Sequence, residues 1–204
     1  MAATSTMLQL GTPAPDFTLQ EVAEDRPVSL AEVTGSTATV VAFLCRHCPY
    51  VKHVQSTFAE IATTYAPRGV GFVGISSNDP QISPEDAPES LAEQKAEVGF
   101  DLPYLFDADQ SVARAYGAAC TPDVFVFDDQ LRLAYRGRLD ETRPGQGTAH
   151  GGDLRAALDA LIAGEAPAAE QHPSIGCSIK WSPGNEPDPS DLLKLQGRGD
   201  DGAA

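Results

Sequence analysis

The stretch TATVVAFLCRHCPYVKHV, residues 37–54, constrains the rest of the chain more than any other. Residues 37–45 are a continuous β-branched and apolar run, the pattern of a strand buried on both faces of a parallel sheet. A helical pattern follows at once. Over residues 49–66, Val51, Val54, Phe58, Ile61 and Tyr65 recur at spacings of three and four, and Pro49 is tolerated in a first helical turn. A buried strand that feeds directly into a helix commits the chain to an α/β architecture. It also places Cys45 at the strand end and Cys48 at the helix start.

The remaining pattern extends that unit. Residues 28–33 are a short amphipathic piece, 69–78 a second buried strand and 85–98 a second helix. A short strand over 102–107 and a short helix over 111–118, ended by Gly117, come next. Residues 123–137 read as a hairpin turning at 128–130, and 153–164 as a last helix stopped by Gly164. The order β-α-β-α-β-α-β-β-α predicts a three-layer α/β/α domain with a mixed central sheet. Its early strands are parallel with right-handed crossovers, and its late strands antiparallel. With 42% hydrophobic residues in 204, the chain needs no cysteine staples to fold. The expected organisation is one domain over 1–182, with a C-terminal extension from about residue 165. The Pro, Gly and Asp content after 183 predicts a flexible acidic tail over 183–204.

A formal net charge of −15 leaves no basic stripe for phosphates, so neither nucleic acid nor an anionic membrane is an expected partner. Residues 1–17 lack a basic segment followed by an apolar one, and no apolar run approaches the ~20 residues of a membrane span. The expectation is a cytoplasmic protein. In a reducing compartment a Cys-x-x-Cys pair serves catalysis or metal binding rather than stapling.

Zinc takes four ligands, and Cys120 and Cys177 are isolated in sequence, so no metal centre is expected. Redox chemistry fits better. A helix N-terminus favours a thiolate, and the thiolate is the nucleophile. Arg46 and His47 lie between the cysteines, and no Asp or Glu occurs from 33 to 59. The two are therefore expected to lower the pKa of the pair. Cys45, at the mouth of the turn, is expected to be the more exposed and to attack a substrate disulfide, with Cys48 resolving the mixed disulfide. His53 reads as a solvated or partly packed side chain. Thr121-Pro122 opens a strand, where a proline is allowed in any protein; beside a Cys-x-x-Cys it also suits redox use.

These elements in this order resemble the thioredoxin superfamily. The opening G-x-x-A-P-D-F, residues 11–17, is similar to the alkyl hydroperoxide reductase/thiol-specific antioxidant branch, which includes peroxiredoxins, and to thiol-disulfide oxidoreductases of the cytochrome-maturation type. CRHCPYVKHV, ACTPDVFVFD and PSIGCSIKW together resemble bacterial thioredoxin-like or peroxiredoxin-like redoxins over roughly residues 8–181. The resemblance implies a thioredoxin fold with an N-terminal β extension, Cys45 as nucleophile and Cys48 as resolving thiol. Pro122 is implied to be a cis-proline, with the Thr121 backbone pairing a substrate strand. Implied partners are protein thiols or disulfides, or a thioredoxin- or glutathione-type reductant, with no cofactor. The sequence also departs from thioredoxin. Leu44 stands where thioredoxin has Trp, and Arg46-His47 replaces Gly-Pro. The strand before the pair lacks the usual buried acid. A basic dipeptide should make the pair more oxidising than thioredoxin.

The leading function is a thiol-disulfide oxidoreductase cycling Cys45–Cys48. A thiol peroxidase is the alternative; laying Cys48 on the peroxidatic cysteine of P-x-x-x-T-x-x-C puts Cys45 at the Thr position, and Arg138 and Arg143 are candidates for a remote arginine. A non-catalytic redox sensor is the third reading. Cys120 and Cys177 form a possible second redox pair if the segment after the last helix folds back, or else stay separate thiols. Trp181 is expected to anchor that segment. The acidic run over 79–101 reads as a solvated helix face.

Overall fold

The computed structural model describes residues 2–188. Seven strands form the main sheet in the order β3-β2-β6-β5-β4-β8-β9. They are β2 (Thr18–Glu21), β3 (Pro27–Ser29), β4 (Ala38–Phe43), β5 (Val70–Ser76), β6 (Tyr104–Phe106), β8 (Asp123–Asp128) and β9 (Leu133–Gly137). The chain runs β4, β5 and β6 parallel, then adds β8 and β9 antiparallel, as the pattern of crossovers and hairpin requires.

Side-chain alternation along β4 divides the interior in two. Val40 and Ala42 face one core with Phe58 and Leu154, from α2 (Pro49–Tyr65) and α5 (Gly152–Ile162). Leu91 of α3 (Pro88–Val98) joins that core. Val41 and Phe43 face the other, with Val33 of α1 (Leu30–Val33) and Tyr116 of α4 (Ser111–Tyr116). The Tyr116 ring meets Phe43, Phe125 and Phe127 edge-on at centroid distances of 5.6, 5.7 and 5.9 Å. This cluster braces the end of β4 that carries Cys45. All five apolar positions foreseen for the long helix are buried.

A second, smaller sheet was not foreseen as such. Its order is β1-β10-β7, all antiparallel, from β1 (Ala2–Thr4), β10 (Ile175–Ser178) and β7 (Cys120–Thr121). The segment after α5 therefore does fold back. Ser174 exchanges hydrogen bonds with Ser5, the Lys180 N–H donates to Asn78 Oδ1 at 2.8 Å, and Trp181 packs against the second core. Gly176 allows the close approach: a Cβ there would overlap the Thr121 carbonyl oxygen.

Part of the span expected as a tail is hydrogen-bonded to the domain. Asn185 accepts from Arg114 at 3.0 Å and donates to the Asp109 carbonyl at 3.2 Å. The rest of that tail, from 189, lies outside the described residues.

Candidate active site

Cys45 follows the end of β4 and Cys48 is the N-cap of α2. Both touch one residue. Cys45 Sγ lies 3.0 Å from Thr121 Oγ1, and Cys48 Sγ lies 3.1 Å from the Thr121 carbonyl oxygen. The Thr121-Pro122 peptide bond is cis. The structure thus brings Cys45, Cys48, Thr121 and Pro122 together.

Other expectations about the site need correction. Cys45 is not the exposed member: both it and Cys48 are 0% exposed. The strand paired with the Thr121 segment, β10, lies far downstream, too far for local pattern to reveal it. Its register sets Cys177 opposite Thr121, so the backbone edge expected to receive a substrate strand is already paired. Cys120 lies opposite Ser178, so Cys120 and Cys177 are not cross-strand partners. Cys177 reaches Cys48 instead.

Arg46 and His47 also direct their charge away from the sulfurs. Arg46 forms ion pairs with Glu93 at 2.6 Å and Glu97 at 3.0 Å, one helical turn apart on α3. His47 Nδ1 lies 2.5 Å from Asp86 Oδ2. Asp86 is fully buried, although it belongs to the run read as a solvated face. It also accepts from the Arg46 N–H at 2.8 Å, the His47 N–H at 3.2 Å and Asn78 Nδ2 at 2.9 Å. Burial works against its charge, but hydrogen bonds from Ser83, Asn78 and His47 prevail and hold its pKa below the ordinary value. The fixed charge beside Cys45 is therefore negative, not positive.

This decides where the thiolate sits. Burial raises the Cys45 pKa far above the ordinary thiol value, and the neighbouring Cys48 and Asp86 raise it further. Cys48 is held down to about 4, first by the Cys45 thiol, then by the Cys177 thiol and the backbone N–H groups of Val51 and Cys177. The helix N-terminus adds to this. Burial and the Thr121 carbonyl favour a proton on Cys48, and they are outweighed. The lowered pKa is that of Cys48, whereas the sequence expected it for the pair, with Cys45 as the attacking thiol.

Two further residues gave less signal. Gln94 donates to the Cys45 carbonyl at 3.2 Å and to Gln55 at 3.0 Å, and accepts from Tyr104 at 3.2 Å. Its spacing of three from Leu91 on an apolar stripe was the available clue. Asp123 is 0% exposed with one oxygen unpartnered; burial pushes its pKa up to about 7, and its charge bears on Cys120. For metal ligation, Cys45, His47 and Asp86 bring donor atoms within 4.8 Å of one another, three of the four that a closed zinc site takes. A cavity of about 170 Å³ lies beside the pair, lined by Tyr50, His53, Pro122, Arg138, Arg143 and Ile175 among others. In it His53 Nε2 lies 2.9 Å from Thr142 Oγ1, and Arg138 pairs with Asp153 at 2.6 Å.

The thiolate assignment carries a pH signature. Cys48 gives up in the folded reduced protein a proton that the unfolded chain keeps to about pH 9. Its contribution is full above that value and lost as pH falls through about 4. Asp123 has the opposite sign: it keeps a proton to about pH 7 that the unfolded chain releases near 3.8, in both redox states. The stability difference, reduced minus oxidised, is therefore expected to grow with pH between about 4 and 9. Urea midpoints of the two forms across that range measure it, and a flat difference refutes the Cys48 thiolate.

A profile of the AhpC/TSA family matches residues 10–136. The chain belongs to the AhpC/TSA family. Its architecture is the thioredoxin fold. Among curated relatives, a Mycobacterium tuberculosis protein carrying a peroxiredoxin name is 32% identical over 114 residues, 56% of this chain and 67% of its own. The thiol-disulfide oxidoreductase ResA of Geobacillus thermodenitrificans is 24% identical over 123 residues, 60% of this chain and 66% of its own. A solved structure of an uncharacterized conserved protein from Geobacillus kaustophilus is 49% identical, with a TM-score of 0.88 over 90% of this chain and 97% of that one. AhpC/TSA relatives bearing both kinds of name support an oxidoreductase. No helix among the described residues of this AhpC/TSA protein is long and apolar enough to cross a membrane.

Proposed function

We propose that the chain is a thiol-disulfide oxidoreductase that cycles Cys45 and Cys48 between dithiol and disulfide, with protein or small-molecule thiols as partners. The observation that carries this reading is the shared contact of both sulfurs with Thr121, at 3.0 and 3.1 Å, with Cys48 at the helix N-terminus. A thiolate next to a neutral thiol suits disulfide exchange, because one sulfur attacks while the other holds the proton. A stabilised thiolate also favours the reduced form, so the pair should be a fair oxidant, though the cause is Cys45, Cys177 and the helix rather than Arg46 and His47.

The peroxidase alternative has less support. Peroxide cleavage needs a group to polarise the leaving oxygen. Cys45 occupies the position of the expected Thr, and Arg138 is engaged by Asp153. Stopped-flow oxidation of the fully reduced protein separates the readings. Fast reaction with a disulfide and free-thiol rates with hydrogen peroxide are expected. Fast peroxide reaction leaving a sulfenic acid on Cys48 reverses the assignment.

A further inference from the structure

Neither member of the pair is open to solvent, yet the reading above requires both to exchange electrons with an outside partner. Cys177 resolves this. It is the one cysteine of the described chain that is partly exposed; the other three are buried. Directly opposite residues of an antiparallel pair project their side chains from the same face of the ribbon. Cys177 is opposite Thr121, and the Thr121 side chain touches Cys45 while its carbonyl touches Cys48. Cys177 therefore lies on the sulfur side of the ribbon, packed against the core that contains both cysteines. The strand that carries it is fixed on both sides by Ser174 and Lys180.

We infer that Cys177 is a third redox thiol, which receives an outside disulfide at the surface and relays the oxidation to the buried pair through a Cys48–Cys177 disulfide. This rests on the thiol-disulfide reading and names the group through which that site meets its partner.

The exchange balances in three steps. Cys177 attacks an outside disulfide, RS–SR′; its proton passes to the adjacent Cys48 thiolate and on to the departing R′S⁻, leaving Cys177–SR. The Cys48 thiolate attacks the Cys177 sulfur, forms Cys48–Cys177 and releases RS⁻. Cys45 then attacks the Cys48 sulfur as its proton moves to the departing Cys177. The products are Cys45–Cys48, Cys177 as a thiol, R′SH and RS⁻, with two electrons and one proton delivered; RS⁻ takes its proton from water. Cys177 ends the sequence as a thiol, the form that burial and the neighbouring Cys48 favour by pushing its pKa up to about 11.

The test uses the full chain and glutathione disulfide as the probe. Trypsin separates the thiols, because Arg46 lies between Cys45 and Cys48; Cys48 falls in residues 47–52, Cys120 in 115–132 and Cys177 in 156–180. With Cys45→Ser, one equivalent of oxidant is expected to link residues 47–52 to 156–180. With Cys177→Ser, the pair still forms its disulfide, but the rate is expected to fall about tenfold or more. A Cys45→Ser protein that yields only a glutathione adduct on Cys48 overturns the relay. So does a Cys177→Ser protein that reacts at the unaltered rate, and in that case the thiol-disulfide reading stands. An unaltered protein that never forms Cys45–Cys48 removes both.

Discussion

Replacing Cys48 with serine is expected to end turnover with disulfides, a loss on the order of 10³-fold or more, because the only stabilised thiolate is gone. The remaining thiols keep protons near neutral pH: burial, then charged neighbours, raises Cys45, and Cys177 stands at about 11. Replacing Cys45 acts differently. It leaves the Cys48 thiolate without its first hydrogen-bond donor and without the thiol that completes the disulfide. That variant is expected to react once and then stall, with a raised pKa at Cys48. Steady-state reduction of a disulfide substrate, with iodoacetamide trapping across pH, distinguishes the two. Equal residual turnover in both variants would contradict the proposed assignment.

Asp86 is the second large effect. Alanine there removes the acceptor for two part-buried backbone N–H groups of the loop between the cysteines, for the buried Asn78 and for the part-buried His47. A loss of about 3–5 kcal/mol is expected, because buried partners stay behind unsatisfied. Asp86→Asn keeps the shape and one acceptor oxygen but not the charge. It is expected to fold and to lower the Cys45 pKa, since the carboxylate raises it. Urea midpoints read the first effect and the pH profile of Cys45 alkylation the second. An unchanged Cys45 profile in the asparagine variant excludes the electrostatic role.

The two effects mark where the sequence was legible. The run ending at Cys45, the helix beginning after Cys48 and the Thr121-Pro122 element are local patterns, and each lies where the pattern put it. Arg46 looked like a promoter of the thiolate because its partners are 47 and 51 residues away. Glu93 and Glu97, four apart on a helix, present one acidic edge, and that edge claims the guanidinium. Asp86 looked like one acid among seven. Only the tertiary structure turns it inward, where the loop's N–H groups need an acceptor. Exposure was misread for the same reason: β10 pairs with the Thr121 segment that both sulfurs touch, and strand pairing across such a distance leaves no periodic trace.

The outer wall of the site lies beyond the span that the family profile describes. The family match spans residues 10–136, which hold Cys45, Cys48, Asp86 and Thr121; β1 and β10 lie outside it. In the proposed function the matched span supplies the reactive pair, and the flanking strands lie across the way to it. Two redoxins with the same pair can therefore part company in their clientele through changes that a comparison of the shared span never registers.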